Sequence, residues 1–115
     1  MRDYRKYDVW KLGHTITLKI YEVIKLFPKS EQFGLASQMR RAAYSIPSNI
    51  SEGCGRESEA EFKRFLVISQ GSASELEYFT TLSKDLGYLD ETSYLVLSDE
   101  VNKVKRSLNN LIQKI

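Results

Sequence analysis

The segment Thr92–Ile115, TSYLVLSDEVNKVKRSLNNLIQKI, decides the fold. In it Tyr94, Leu97, Val101, Val104, Leu108, Leu111 and Ile115 succeed one another by alternate steps of three and four, which gathers their side chains on one face of a helix. Leu95 and Ile112 widen the stripe, and Asp90 or Thr92 stands where an N-cap is wanted. An apolar seam kept over three heptads is a helix-packing signal. The segment therefore predicts a helix over about residues 92–114 that needs partners.

Three further periods supply them. Ser58 followed by Glu61 reads as a capping box, in which each side chain serves the other's free amide. From there Phe62, Phe65, Leu66, Ser69, Ser72, Ala73, Leu76, Phe79, Leu82 and Leu86 hold a helical period to Gly87, a left-handed cap, giving a helix over about 58–86. Leu35, Met39, Ala42, Ala43, Ile46 and Ile50 mark another over about 35–53, stopped at Gly53-Cys54-Gly55. Pro47 lies inside it and predicts a kink between Ala43 and Pro47, or a break into two helices. Val9, Leu12, Ile16, Ile20, Val23 and Phe27 mark the first helix, over about 7–26 and ended by Pro28, with Trp10 and Tyr21 beside its stripe. Short connections favour antiparallel neighbours. The expectation is an all-α, up-and-down antiparallel four-helix bundle, one domain over residues 1–115.

Composition agrees. A chain of 115 residues is one domain's worth, and 42% apolar with 28% charged residues suffices for a core and a solvated surface. The net charge of +2 says nothing of a polyanionic partner, but its distribution is uneven. Residues 1–29 carry seven Lys/Arg against three Asp/Glu, whereas residues 57–91 carry three against eight. The single cysteine, Cys54, rules out an internal disulfide and suits a reducing compartment. No apolar run nears the ~20 residues that span a bilayer, and Met1-Arg2-Asp3-Tyr4-Arg5-Lys6 lacks a signal peptide's apolar stretch. These features predict a cytoplasmic protein without a membrane partner.

Catalytic chemistry finds little to work with. Nucleophilic catalysis needs a nucleophile beside a base, and the one histidine, His14, and Cys54 fall in different elements. Zinc ligands at suitable spacing and the Glu-x-x-His pairs of a di-iron bundle are absent, and no strand or Gly-Lys-Ser/Thr accompanies Gly53 and Gly55. The reading is of a non-enzyme with no catalytic residues, cofactor or metal.

Polar residues crowd the middle of the second and third helices: Arg40, Arg41, Asn49, Glu52 and Arg56, then Gln70, Ser72, Ser74, Glu75 and Glu77. Two readings stay open. Arg40, Arg41, Asn49, Glu52, Arg56, Ser72 and Glu75 can form a paired network inside the fold or at a subunit interface, with Gly71 allowing a close helix crossing. Alternatively Arg40 and Arg41, with Arg2, Arg5, Lys6 and Lys11, face a nucleic-acid backbone, while Tyr4, Tyr7 and Trp10 either stack on unpaired bases or seal the bundle's end.

The chain also spells an ordered series of motifs: Asp8-Val9-Trp10, Ile20-Tyr21, Phe27-Pro28, Phe33-Gly34-Leu35, Gln38-x-Arg40-Arg41-Ala42-Ala43, Ser45-Ile46-Pro47-x-Asn49-Ile50 and Glu52-Gly53. Arg56-x-Ser58, Glu61-Phe62-x-x-Phe65-Leu66, Gly71-Ser72-x-x-Glu75-x-Glu77 and Leu86-Gly87-Tyr88 follow. In order and spacing the series resembles the 23S rRNA intervening-sequence proteins, over nearly the whole chain. That resemblance implies a small bacterial four-helix bundle that assembles into a homopentamer. It also implies kinship with the accessory protein of diversity-generating retroelements, a pentameric barrel associated with nucleic acid and a reverse transcriptase. The functional expectation is an oligomeric scaffold associated with RNA or another nucleic acid. The alternative is a protein-interaction module, or accessory subunit of a reverse-transcriptase-like partner, that binds no nucleic acid itself.

Overall fold

Pro47 does not break the second helix. In the computed structural model, which describes residues 2–115, that helix runs unbroken as α2, Leu35–Cys54, with Pro47 buried inside it. A proline removes the amide that would bond the carbonyl four residues back, here Ala43. The Thr17 hydroxyl takes that amide's place, lying 3.0 Å from the Ala43 carbonyl and 2.7 Å from the Gly13 carbonyl of its own helix, α1 (Asp8–Val23). Gly13 makes the approach possible: a Cβ there would stand 3.0 Å from Ile46 Cγ2 and 3.5 Å from Pro47 Cδ.

The other boundaries follow from local chemistry. Helix α1 ends three residues early, in a 3-10 turn at Ile24–Leu26, because Pro28 forces Phe27 into extended backbone (φ −71°, ψ 154°). A second such turn, Lys29–Glu31, leads to α2, whose first amide, Leu35 N–H, donates to the Glu31 carboxylate at 3.1 Å. Helix α3, Glu59–Asp85, is capped by Ser58, whose hydroxyl accepts from the Glu61 amide. The reciprocal half of the expected box is missing, since the Glu61 carboxylate turns outward to Arg64 at 3.0 Å. At the far end Gly87 adopts φ 81°, Gly87 N–H donates to Lys84 O and Tyr88 N–H to Ser83 O, each at 2.9 Å, a Schellman closure. Asp90 and not Thr92 caps α4, Glu91–Gln113, accepting from Ser93 N–H at 2.7 Å.

Each helix packs on its sequence neighbours, and α1 packs on α4, so the four close into a square 43 Å long. Gly13 and Thr17 of α1 meet Pro47 and Ala43 of α2, Met39 and Ile46 of α2 meet Ser83 and Ser69 of α3, and Glu77 and Lys84 of α3 meet Lys105 and Glu91 of α4, so successive helices run antiparallel, up-down-up-down. Ile16, Ile20, Met39, Ile46, Ile50, Leu66, Leu76, Val101, Val104 and Leu108 are fully buried along the axis. Burying such a side chain contributes ~1.5–3 kcal/mol. The buried hydroxyls of Thr80 and Ser83 bond back to the carbonyls of Leu76 and Phe79, and no buried side-chain polar atom among the described residues lacks a partner. Leu95 and Leu86 do not join the core: both are about half exposed, on outward corners of their helices. No helix among the described residues is long and apolar enough to cross a membrane.

Candidate nucleic-acid interface

The polar residues of α2 and α3 do not form a buried Arg–Glu network within the chain. Arg41, Glu52, Arg56 and Glu75 are exposed, and Arg40, Asn49 and Ser72 lie half-buried on rims between helices. Only Glu52 and Arg56 among them pair by charge, at 3.6 Å across one turn. What joins α2 to α3 is neutral: Asn49 Nδ2 donates to the Ser45 carbonyl at 2.8 Å and lies 2.9 Å from Ser45 Oγ, which in turn lies 2.8 Å from Ser72 Oγ. Gly71 makes no close crossing, for a Cβ there would meet nothing within 4 Å.

The cations proposed from sequence fall into separate places. Arg2 lies over the Phe62 ring, 4.2 Å from its centroid, and donates to the Arg56 carbonyl at 3.3 Å, so it ties the N-terminus to the start of α3. Arg5 sits over Tyr4 in the 3-10 turn Tyr4–Lys6 and lies 3.9 Å from Asp3. Lys11 reaches Asp8 at 4.0 Å. The aromatics of this segment turn inward and seal the bundle's end: Tyr4 packs on Trp10 at 4.8 Å and Tyr7 on Phe62 at 5.9 Å. Trp10 in turn stacks on His14, whose ring is exposed. Cys54 is buried, and burial raises its thiol pKa, which holds it in the unreactive protonated form.

Arg40 stands apart from these. It lines a groove of about 310 Å³ between the end of α1 and the first half of α2, together with Tyr21, Lys25, Lys29 and Gln32. No ion pair among the described residues involves Arg40, Arg41, Lys6 or Lys29. Sequence reading named Arg40 but missed its companions. The usable signal was the Phe27-Pro28 stop, which folds Lys25 and Lys29 back toward α2 from either side of one turn.

Two comparisons place this architecture among known proteins. The sequence pattern of a family described as 23S rRNA-intervening sequence protein matches residues 5–110. A solved structure from Bacteroides thetaiotaomicron, described as a protein with unknown function from the S23 ribosomal protein family, superposes with a TM-score of 0.84 at 25% identity. The match covers 90% of this chain and 97% of that one. No curated protein matches the chain.

Proposed function

Because the chain belongs to the 23S rRNA-intervening sequence protein family, we propose that it acts without catalysis, as a cytoplasmic homopentameric scaffold that associates with RNA or another nucleic acid. The observation that carries this reading is the pair Arg40 and Arg41, cations that reach solvent with no carboxylate partner among the described residues. Unpaired surface arginines suit phosphates, which accept their forked donors.

Self-association has its own support. Since α1 and α3 each touch α2 and α4, the α2–α3 side and the α1–α4 side of the square lie opposite one another. Each carries exposed apolar groups: Ile68 (40% exposed) on one, Leu18 (57%) and Val96 (45%) on the other. Unlike exposed apolar groups on opposite sides suit the head-to-tail contact that closes rings.

The test measures mass by light scattering and binding of a structured RNA by fluorescence anisotropy. Binding is expected at low salt and should weaken steeply as salt rises, because phosphate contacts release counterions. No binding at low salt, or binding indifferent to salt, overturns the reading. Replacing Arg40 and Arg41 together by Gln is expected to abolish binding while leaving mass and melting unchanged. Collapse of both would make the pair structural and favour a protein-interaction module instead.

A further inference from the structure

The groove that holds Arg40 is unusual for what it lacks. Lys25, Lys29 and Arg40 line it, and no carboxylate does. Like charges gathered with one exposed counter-ion, Glu22 on Lys25, repel one another, the more so beside the buried Phe27 and Ala36 that also line the groove. The two acids nearest in sequence leave Lys29 and Arg40 without an ion pair. Glu31 accepts from the Leu35 amide at 3.1 Å and from the Tyr88 hydroxyl at 3.0 Å, and makes no ion pair with Lys29. Glu22 meets Lys25 at 3.3 Å in a pair exposed on both sides, and such a pair holds its lysine only weakly.

The remaining walls are suited to a base. The Tyr21 ring is 40% exposed, and Gln32 brings an amide with both donors and an acceptor. An aromatic face beside cations is the combination that holds single strands, whereas a duplex keeps its bases stacked inside. The groove opens on the α1–α2 side, between the two sides proposed above for self-contact.

We propose that this groove holds a single-stranded stretch of RNA, with Arg40 and Lys29 on neighbouring phosphates, Lys25 supporting them and an unpaired base against Tyr21. The proposal rests on the nucleic-acid reading above and narrows it to one surface and one kind of RNA.

The test is anisotropy of a labelled ten-nucleotide uridine RNA, and of a blunt duplex, against the full chain and four variants. Lys29→Glu changes an exposed, unpaired residue and should leave folding intact; it is expected to weaken single-strand binding about tenfold or more. Arg40→Gln should do likewise and flatten the slope of log affinity against log salt by about 0.7, the share of one phosphate in a single strand. Tyr21→Leu should weaken binding with the slope unchanged, because stacking releases no counterion. Lys63→Glu, an equal charge change on exposed α3, serves as the baseline. Should Lys29→Glu and Arg40→Gln bind no worse than Lys63→Glu, or should the wild type prefer the duplex, the groove is not the site although the protein binds nucleic acid. A wild type that binds neither RNA at low salt overturns the nucleic-acid reading itself, and the groove with it.

Discussion

Thr17 decides whether α2 tolerates its proline. The sequence announces the problem, since Pro47 stands inside an apolar period, and it predicts a kink or a break. The solution lies 26 residues upstream of Ala43 on another helix, where no local rule looks for it: one hydroxyl shared between the Gly13 and Ala43 carbonyls. Thr17→Val keeps the shape and removes the donor, leaving the Ala43 carbonyl buried and unserved. A buried carbonyl without its bond costs ~1–3 kcal/mol. Urea unfolding should register a loss in that range, with an unchanged slope against denaturant. A loss near zero would mean that water reaches Ala43 and the hydroxyl is dispensable. The same distance from local rules explains the misread polar residues. Helical period alone cannot tell Ser72, on the rim between α2 and α3, from a core position, nor foresee that Asn49 would turn to Ser45 on its own helix.

Helix ends, by contrast, were nearly all legible, because a cap is made within four residues. Ser58, Gly87 and Asp90 each do what their type and place predict. The exceptions are the end of α1, which tightens into a 3-10 turn three residues early, and Glu61, which Arg64 draws away from the Ser58 amide on an exposed turn where a charged partner is available. Asp90 has a pH signature. The Ser93 amide that it accepts stabilises its ionised form and lowers its pKa in the folded chain. A carboxylate with a depressed folded pKa contributes stability that is fully present above its unfolded value of about 3.9 and is lost as pH falls through the lower folded value. Asp90→Ala is therefore expected to melt below the wild type at pH 7, and the gap should narrow once the pH drops under the ordinary carboxylate range. Melts followed by circular dichroism from pH 7 to pH 3 would show it. A gap that stays constant would assign the cap's effect to geometry alone.

The molecule as a whole presents one expense with no return inside the chain. A glycine in a helix interior costs about 0.5–1 kcal/mol relative to alanine. Gly71 sits in the middle of α3, exposed, with open space where its Cβ would be. Gly53 shows the contrast, for a Cβ there would press to 2.9 Å from Phe65 Cβ and to 3.2 Å from the Phe62 carbonyl, so close packing of α2 on α3 requires it. Gly71 lies one turn from Ile68 and next to Ser72, on the α2–α3 side assigned above to self-contact. A second copy pressing its Leu18 and Val96 side there would give the missing methyl a reason. Gly71→Ala separates the two scales of stability. The subunit should gain roughly 0.5–1 kcal/mol against urea at concentrations where it stands alone. The assembly should dissociate at lower dilution, because a methyl in a close helix crossing between copies must push them apart. Light scattering across a dilution series reads the second effect and urea melts the first. A gain in both would remove Gly71 from any contact and move the proposed interface off this side of the bundle.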